Sequence, residues 1–93
     1  MSIKSVRVRV EGQVQGVWFR AWTMEQAEER GLDGWVRNRH DGSVEAVFSG
    51  PSDRVDDMLD VCWVGPKLAR VEAVHVADEV DEINNDFIKK STV

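Results

Sequence analysis

The fold of this chain is decided by the stretch Glu11-Gly12-Gln13-Val14-Gln15-Gly16-Val17-Trp18-Phe19-Arg20, where two sequence patterns meet. Apolar residues alternate with charged ones before it, as in a strand with one buried face, and a helical pattern follows it. The two glycines allow a tight turn, because glycine adopts positive φ without steric cost. We therefore predict a loop that joins the end of a strand to the start of a helix.

A loop of this kind can bind an anion. Its backbone N–H groups and those of the first helical turn form a concave set of donors. Arg20 falls in that first turn, and its planar guanidinium offers bidentate donors that match phosphate oxygens. The spacing is also consistent with an ordinary glycine-containing turn and a surface arginine, since short glycine motifs often match by chance. The loop alone leaves both interpretations open.

The residues on either side of the loop define the first strand and the first helix. Val6, Val8 and Val10 alternate with charged residues, which predicts a strand with one face in the core. From Val17 to Arg30 the spacing becomes helical, and Gly31 stands where a C-cap glycine belongs. One side of this helix carries its less polar residues, Phe19, Trp22, Thr23 and Ala27.

A hairpin and a second helix are predicted next. Residues 35–38 form a short strand, Asp41-Gly42 marks a tight turn, and residues 44–49 form the returning strand. The buried face of the returning strand is predicted to be Val44, Ala46 and Phe48. Pro51 suits the first position of a helix, which Gly65-Pro66 ends. The apolar stripe of that helix is Val55, Met58, Leu59 and Cys62.

The last third of the chain predicts one clear strand and one weaker strand. Ala69–Val76 alternates, but its apolar phase shifts between Ala73 and Val74, which predicts a β-bulge there. The acidic residues 78–82 are expected to form an exposed loop, and residues 86–90 a short fifth strand.

The order strand, helix, strand, strand, helix, strand predicts an α+β fold, with the short fifth strand as an addition. Two crossovers that each carry a helix on one face of an antiparallel sheet give the split β-α-β, or ferredoxin-like, sandwich. The alternation predicts that the other sheet face is solvated. The 93 residues are expected to form one domain, 1–93, because this length supports a single core.

Composition narrows the class of partner. The formal net charge is −5, which argues against nucleic acid and anionic membrane, since both require a basic face. The single cysteine, Cys62, cannot form a disulfide within the chain, and no apolar run approaches the length of a membrane span. These features predict a monomer in the cytoplasm. An anionic substrate would have to be held by short-range donors rather than steered by the overall field.

Other reactive residues have structural explanations. His40 falls in the hairpin loop and His75 on a strand distant in sequence from the first loop, so neither is expected to be catalytic. Cys62 is expected to be a small core residue. No cluster has metal-ligand spacing, so no metal or other cofactor is expected. Trp18 is a candidate both for the core and for contact with a substrate. The other tryptophans are expected to pack in the interior: Trp22, Trp35 and Trp63.

Two motifs together carry a more specific signal than either glycine pair. The first comprises Gly12, Val14, Gln15, Gly16, Val17, Phe19 and Arg20. The second comprises Gly34, Val36, Asn38, Asp41, Gly42, Val44 and Glu45. In this order and spacing they closely resemble the two signatures of the acylphosphatase family, Gly-x-Val-Gln-Gly-Val-x-Phe-Arg and Gly-x-Val-x-Asn-x-x-Asp-Gly-x-Val-Glu. The resemblance covers nearly the whole chain and weakens towards its end.

The resemblance implies a hydrolase that splits the carboxyl–phosphate bond of small acyl phosphates into carboxylate and inorganic phosphate. It implies that Arg20 holds the phosphate together with the loop Gly12–Phe19. The candidate binding residues of that loop are Gln13, Val14, Gln15, Gly16, Val17, Trp18 and Phe19. Asn38, which by itself could be a turn residue, is implied to position the attacking water. Inorganic phosphate would be both product and competitive inhibitor, and no metal, nucleotide or covalent intermediate is implied.

Two other functions fit the same predicted fold. An anion-binding or regulatory module would keep the loop without turnover, and release of phosphate from an acyl phosphate without added metal would separate it from an enzyme. An RNA-binding sheet would need an aromatic-rich pattern and a basic face, which this chain lacks.

The chain departs from the family pattern at two places. Arg39 follows Asn38 where many relatives carry a small polar residue, so it is expected to add positive charge near the site. The tail after Phe87 fits poorly. Whether the carboxylate of Val93 pairs with Arg20 stays open, although the chain ends of many relatives lie near this arginine.

Overall fold

Five strands form one sheet in the order β4-β1-β3-β2-β5, and two helices pack against one of its faces. The computed structural model describes residues 2–79 and 81–93. The strands are β1 (Ile3–Gln13), β2 (Asp33–Asn38), β3 (Val44–Pro51), β4 (Arg70–Asp78) and β5 (Phe87–Lys89). The helices are α1 (Phe19–Glu29) and α2 (Ser52–Val64). The predicted ferredoxin-like α+β fold is confirmed.

The fifth strand makes the sheet mixed rather than antiparallel. The pairs β1–β3, β1–β4 and β2–β3 are antiparallel, but β5 pairs with β2 in parallel. With these directions β5 starts at the end of the sheet where β4 finishes, although the two strands lie at opposite edges. The expectation of an antiparallel sheet is therefore corrected at this one edge, where the predicted short fifth strand pairs in parallel.

The core lies between the helices and the face of the sheet that carries Val6, Val8 and Val10. Phe48 and Met58 are both fully buried there, and Phe87 of β5 stacks on Phe48 with ring centroids 5.7 Å apart. Cys62 is also buried, and burial raises the pKa of its thiol to about 12. The prediction that this cysteine is a core residue is confirmed.

Both ends of α1 have clear causes. The helix begins at Phe19, two residues after the predicted start, because Trp18 has a left-handed conformation with φ 67°. At the other end the N–H of Gly31 bonds to the oxygen of Glu28, and the N–H of Leu32 to that of Ala27. This is the paired hydrogen bonding of a Schellman cap, as predicted for Gly31.

Two expectations for α2 are corrected. Pro51 is the last residue of β3 and stands just before the helix, not at its first position. Trp63 is 53% exposed, so the expectation that it packs in the interior is wrong. It follows the buried Cys62 by one residue, and that rotation of about 100° takes its side chain towards solvent. Among the other expected interior tryptophans, Trp35 is buried and Trp22 half-buried.

The predicted bulge lies in β4, at Glu72 rather than between Ala73 and Val74. Glu11 pairs with Ala73 and Gly12 with Val71, so Glu72 is the extra residue. Gly12 has φ 126°, and a Cβ atom there would lie 2.1 Å from the oxygen of Arg70. Only glycine permits this close approach, which sets the direction of the chain as it enters the loop.

An ion-pair cluster covers the centre of the outer sheet face. Glu45 is 7% exposed and accepts hydrogen bonds from Arg37 Nε at 2.8 Å, Arg7 Nη1 at 3.2 Å and Arg39 Nη1 at 3.2 Å. Val47, on the same face, is fully buried. The expectation of a solvated outer face is therefore wrong at its centre, because long arginine side chains lie over it.

Trp35 extends this cluster. The guanidinium carbons of Arg37 and Arg7 lie 4.6 Å and 5.4 Å from its ring centroid, and Lys90 Nζ lies 4.7 Å from it. Cations at this range are attracted to the face of an indole ring.

The predicted acidic loop 78–82 has a different character from that expected. Asp78 belongs to β4, and Glu79 forms an ion pair with Arg7 at 2.7 Å, its side chain 6% exposed. Val80 lies outside the described residues.

Within the described part, no helix has the length and apolar character needed to cross a bilayer.

Glu45→Gln tests the outer cluster. Burial by itself raises the pKa of Glu45, but the hydrogen bonds and charges of its arginine partners, chiefly Arg37, outweigh it and hold the pKa below its ordinary value of 4.5. A depressed carboxyl pKa stabilises the fold above the unfolded-state pKa, and this stabilisation is lost as the pH falls through the folded-state pKa. The variant should therefore lose about 1–3 kcal/mol of unfolding free energy at neutral pH.

Urea unfolding at neutral pH and at about pH 3 would measure this effect, and the difference between variant and wild type should shrink in acid. Glu28→Gln, at an exposed position of α1, is the control and should change stability little at either pH. A difference that is equally large in acid would contradict a role for the Glu45 charge.

Candidate active site

A cavity of about 350 Å³ lies where the loop after β1, the start of α1 and the last residues of β2 and β5 meet. The loop and α1 contribute Val14, Gly16, Trp18, Phe19, Arg20 and Ala21. The strands contribute Asn38 and Lys89. The structure thus brings Arg20 and Asn38, from the two separate motifs, to one place.

Strand alternation explains why Asn38 and Lys89 face this cavity. Val36 is in the core, and Asn38 lies two residues further along β2, on the same side of the sheet. Phe87 is in the core as well, and Lys89 lies two residues further along β5. Val36 pairs with Lys89 across the two parallel strands, so both strand ends reach the same edge of the core.

The residues at the start of α1 line the cavity and have backbone donors without helical partners. The first helical hydrogen bond runs from the N–H of Trp22 to the oxygen of Trp18, at 2.9 Å. The N–H groups of Phe19, Arg20 and Ala21 precede it, and they bond to no other residue in the described part of the chain. N–H groups of this kind suit an anion.

Trp18 lies at the mouth of this arrangement. It is 78% exposed, so it is not a core residue. Its positive φ is unusual for a bulky side chain, and strain of this kind costs about 1–3 kcal/mol and clusters at functional sites. The strained turn sets the start of α1 at Phe19, so the residues with these free N–H groups are ones that line the cavity.

Gln15 ties the loop to the hairpin that follows β2. Its Nε2 donates to the oxygen of Arg39 at 2.7 Å and to that of Ser43 at 2.8 Å. Gln15 does not line the cavity, and its side chain acts as a structural link to the segment that carries Asn38. Of the other loop residues, Gln13 ends β1 beside a second depression and Val17 packs against the core.

The second motif fixes the position of Asn38. Gly34 has φ 134°, and a Cβ atom there would lie 1.8 Å from the oxygen of Val47, so only glycine lets β2 approach β3 this closely. In the hairpin, Asp41 Oδ1 accepts hydrogen bonds from the Ser43 N–H at 2.9 Å and Oγ at 2.6 Å. These bonds from Ser43 lower the pKa of Asp41 and hold the turn beside Asn38.

Arg20 and Asn38 both have polar groups available to a ligand. Within the described residues, Arg20 forms no ion pair and no side-chain hydrogen bond. Asn38 Oδ1 is buried, and it has no hydrogen-bond partner among those residues. An unpaired buried acceptor costs about 1–3 kcal/mol, so its presence in a cavity beside an arginine indicates a place for a polar ligand.

Arg39 and the chain end lie close by but make other contacts. Arg39 pairs with Glu45 at 3.2 Å and with Asp41 at 3.8 Å. These two carboxylates offset the positive charge that Arg39 was expected to add near the site. The N–H of Val93 bonds to the oxygen of Asn38 at 3.2 Å, and the N–H of His40 to the oxygen of Val93 at 2.6 Å. No ion pair joins Val93 to Arg20 in the described part of the chain.

The remaining reactive side chains lie outside this cavity. His40 is exposed in the hairpin. His75 lies on the edge strand β4, on the sheet face away from the helices, and its Nε2 lies 2.9 Å from Glu11 Oε1. Among the described residues, no group of three or more His, Cys, Asp and Glu side chains could hold a metal ion.

Two lining residues, Ala21 and Lys89, were missed by sequence reasoning, and Lys89 is the one that carries a charge. Phe87-Ile88-Lys89 offered a signal, because alternation puts a lysine on the same face as a core phenylalanine. The pattern is too short, however, to show that β5 pairs with β2 and that Lys89 therefore lies beside Val36.

Comparison with known proteins identifies the family. A family model described as acylphosphatase matches residues 6–89. The chain belongs to the acylphosphatase family. It is 56% identical over 87 residues to an acylphosphatase of Rhizorhabdus wittichii, a match that covers 94% of this chain and 88% of that protein.

Solved acylphosphatase structures share the fold. That of an acylphosphatase from Coxiella burnetii superposes with a TM-score of 0.90 at 38% identity, covering 95% of this chain and 93% of that one. The structure of the acylphosphatase from Bacillus subtilis superposes with a TM-score of 0.89 at 31% identity, and the match covers 96% of this chain and 99% of that one. As an acylphosphatase, the protein is a hydrolase of acid anhydrides, and its substrates are small acyl phosphates.

Gln15→Met tests the link between the loop and the hairpin. The substitution keeps the side-chain length but removes two hydrogen bonds, so the oxygens of Arg39 and Ser43 retain only the backbone N–H groups of Gly42 and Arg39 as partners. We expect the unfolding free energy to fall by about 1–3 kcal/mol in urea titrations. Gln13→Met, at the exposed end of β1, is the matched control and should stay within about 0.5 kcal/mol of wild type. Equal losses in the two variants would refute the assigned role of Gln15.

Proposed function

We propose that Arg20 and the N–H groups at the start of α1 hold the phosphoryl group, while Asn38 positions the attacking water. One observation carries this proposal: the buried, unpartnered Oδ1 of Asn38 belongs to a residue that lines the same cavity as Arg20. A guanidinium can bind two phosphate oxygens at once, and the helix start favours negative charge. The amide of an asparagine can both accept from and donate to a water molecule.

The proposed reaction is an in-line displacement at phosphorus. A bond forms from the water oxygen to phosphorus as the bond from phosphorus to the acyl oxygen breaks, and the electron pair leaves with the carboxylate. A carboxylate is a good leaving group, so protonation on that side contributes little. Catalysis then depends on positioning the water and on stabilising the phosphoryl charge.

The proton of the water is proposed to pass to a phosphate oxygen of the substrate. The amide of Asn38 is far too weak a base to accept it. His40 and His75 do not line the cavity, which argues against either of them as the base. Trapping a phosphorylated form of the enzyme would count against this direct mechanism.

The loop residues are proposed to contribute in two ways. Val14, Gly16 and Phe19 shape the cavity around the phosphoryl group, and the exposed ring of Trp18 contacts the acyl portion of the substrate. The other loop residues predicted to bind substrate act through the shape of the loop backbone: Gln13, Gln15 and Val17.

We further propose that inorganic phosphate competes with the substrate, because it carries the group that Arg20 would bind. The 93 residues would act as one domain and as a monomer in the cytoplasm. The single cysteine, buried as a thiol in the core, fits a reducing compartment. Inhibition kinetics, sedimentation and cell fractionation would test these points.

Arg20→Ala should abolish measurable hydrolysis and weaken inhibition by phosphate, because the bidentate contact is lost. Arg20→Lys should restore little, since an ammonium does not reproduce the planar fork. Initial rates with butyryl phosphate and a phosphate inhibition series would measure both effects. Phosphate affinity within a few-fold of wild type in Arg20→Ala would exclude the assigned contact.

Asn38→Ala should lower kcat by about 100-fold or more, while KM and phosphate inhibition change little, because Asn38 acts on the water and not on the phosphate. Asn38→Asp should also weaken binding, since a carboxylate beside the dianion repels it. Steady-state kinetics would measure both, after circular dichroism has established that the variants are folded. A near-native kcat in a folded Asn38→Ala protein would show that another group positions the water.

A further inference from the structure

Lys89 is a cation in the active-site cavity to which the proposed mechanism gives no role. It is the last residue of β5 and lines the cavity with Arg20 and Asn38. Its position is unusual, because Phe87, two residues earlier on the same strand face, is 4% exposed and belongs to the core. A lysine at a core-facing strand position is rare unless its ammonium reaches water or a partner.

The charge around Lys89 indicates which partner it would have. Six lysine and arginine side chains form ion pairs within the described residues: Lys4, Arg7, Arg9, Arg30, Arg37 and Arg39. Six others form none there: Arg20, Arg54, Lys67, Arg70, Lys89 and Lys90. Of these six, Arg20 and Lys89 are the two that line the cavity. The residues that line the cavity include these two cations and, within the described part, no carboxylate. A protein of net charge −5 therefore keeps a locally positive cavity.

We propose that Lys89 is a second phosphate-binding residue, which supplies the positive charge that Arg20 alone does not. The phosphoryl group of an acyl phosphate has two ionisable oxygens, like that of a phosphate monoester, which carries a charge of about −1.5 to −2 at neutral pH, so one guanidinium leaves it only partly neutralised. Lys89 pairs with Val36 on the neighbouring strand, and Asn38 lies two residues beyond Val36 on the same face of that strand. A lysine side chain is long enough to reach across such a site. This inference rests on the proposed role of the cavity in holding the phosphoryl group.

The effect of Lys89 is expected in binding rather than in the chemical step. Its ammonium faces a dianion in both the bound substrate and the transition state, and an interaction present in both lowers KM without raising kcat. Because Lys89 is exposed, its contribution is that of an ion pair screened by solvent.

The test compares Lys89→Met with Lys90→Met. The two substitutions remove the same charge from adjacent residues, but Lys90 lies on the opposite sheet face, over Trp35. Inorganic phosphate is the first probe, with its dissociation constant measured by calorimetry, and butyryl phosphate is the substrate. Lys89→Met should raise the dissociation constant and KM by about three- to tenfold with kcat within about twofold, and Lys90→Met should leave all three near wild type.

Two further measurements separate this role from a structural one. Lys89→Arg should restore phosphate affinity, because the charge is retained. The difference between wild type and Lys89→Met should shrink as salt is raised, since added ions screen the attraction. A salt-independent defect, or no recovery in Lys89→Arg, would overturn the proposal.

Substrate choice distinguishes the remaining outcomes. Succinyl and butyryl phosphate differ by a carboxylate in place of a terminal methyl group. If Lys89→Met weakens both equally, Lys89 acts on the shared phosphoryl group as proposed. A loss confined to succinyl phosphate would overturn the proposal, because Lys89 would then contact the acyl end. Intact phosphate binding in Lys89→Met but not in Arg20→Ala would refute the role of Lys89 alone, whereas intact binding in both variants would refute the proposed site.

Discussion

The left-handed turn at Trp18 is the constraint on which the active site depends. It stops α1 from starting earlier, so Phe19, Arg20 and Ala21, which line the cavity, keep N–H groups without helical partners. It also places Arg20 in the first helical turn, where a cation is unfavourable beside the positive helix end unless an anion binds. The local strain and this charge placement are unfavourable for folding by themselves, and both become understandable when the loop serves to hold a phosphoryl group.

Close packing between strands positions the other residues of the site around the turn at Trp18. Gly12 lets β1 pass close to the bulge of β4 before the loop, and Gly34 lets β2 lie against β3 so that Asn38 ends at the cavity. The side chain of Gln15 then links the loop to the hairpin beside Asn38. The glycines of the two motifs therefore allow close contact between strands as well as tight turns. The two halves of the site are joined by one side chain, that of Gln15.

The charges of the protein are divided between the sheet face and the cavity. On the outer face, arginines surround the nearly buried Glu45, and each positive charge there meets a carboxylate or the ring of Trp35. In the cavity, Arg20 and Lys89 have no carboxylate partner among the described residues. A net-acidic chain can thus present a positive site over short distances, where fixed donors matter more than the overall field.

The sequence alone determined what depends on neighbours along the chain: the alternating strands, the C-cap at Gly31, the hairpin, and the two motifs that carry Arg20 and Asn38. Only the tertiary structure decided what depends on residues distant in sequence. It set the parallel pairing of β5, which brings Lys89 to the cavity, the hydrogen bonds of Gln15, and the burial of Glu45 beneath arginines. It also decided that Trp63 is exposed although its neighbour Cys62 is buried. Local patterns report which face of an element is apolar, whereas the partner of that face is set by how the elements pack.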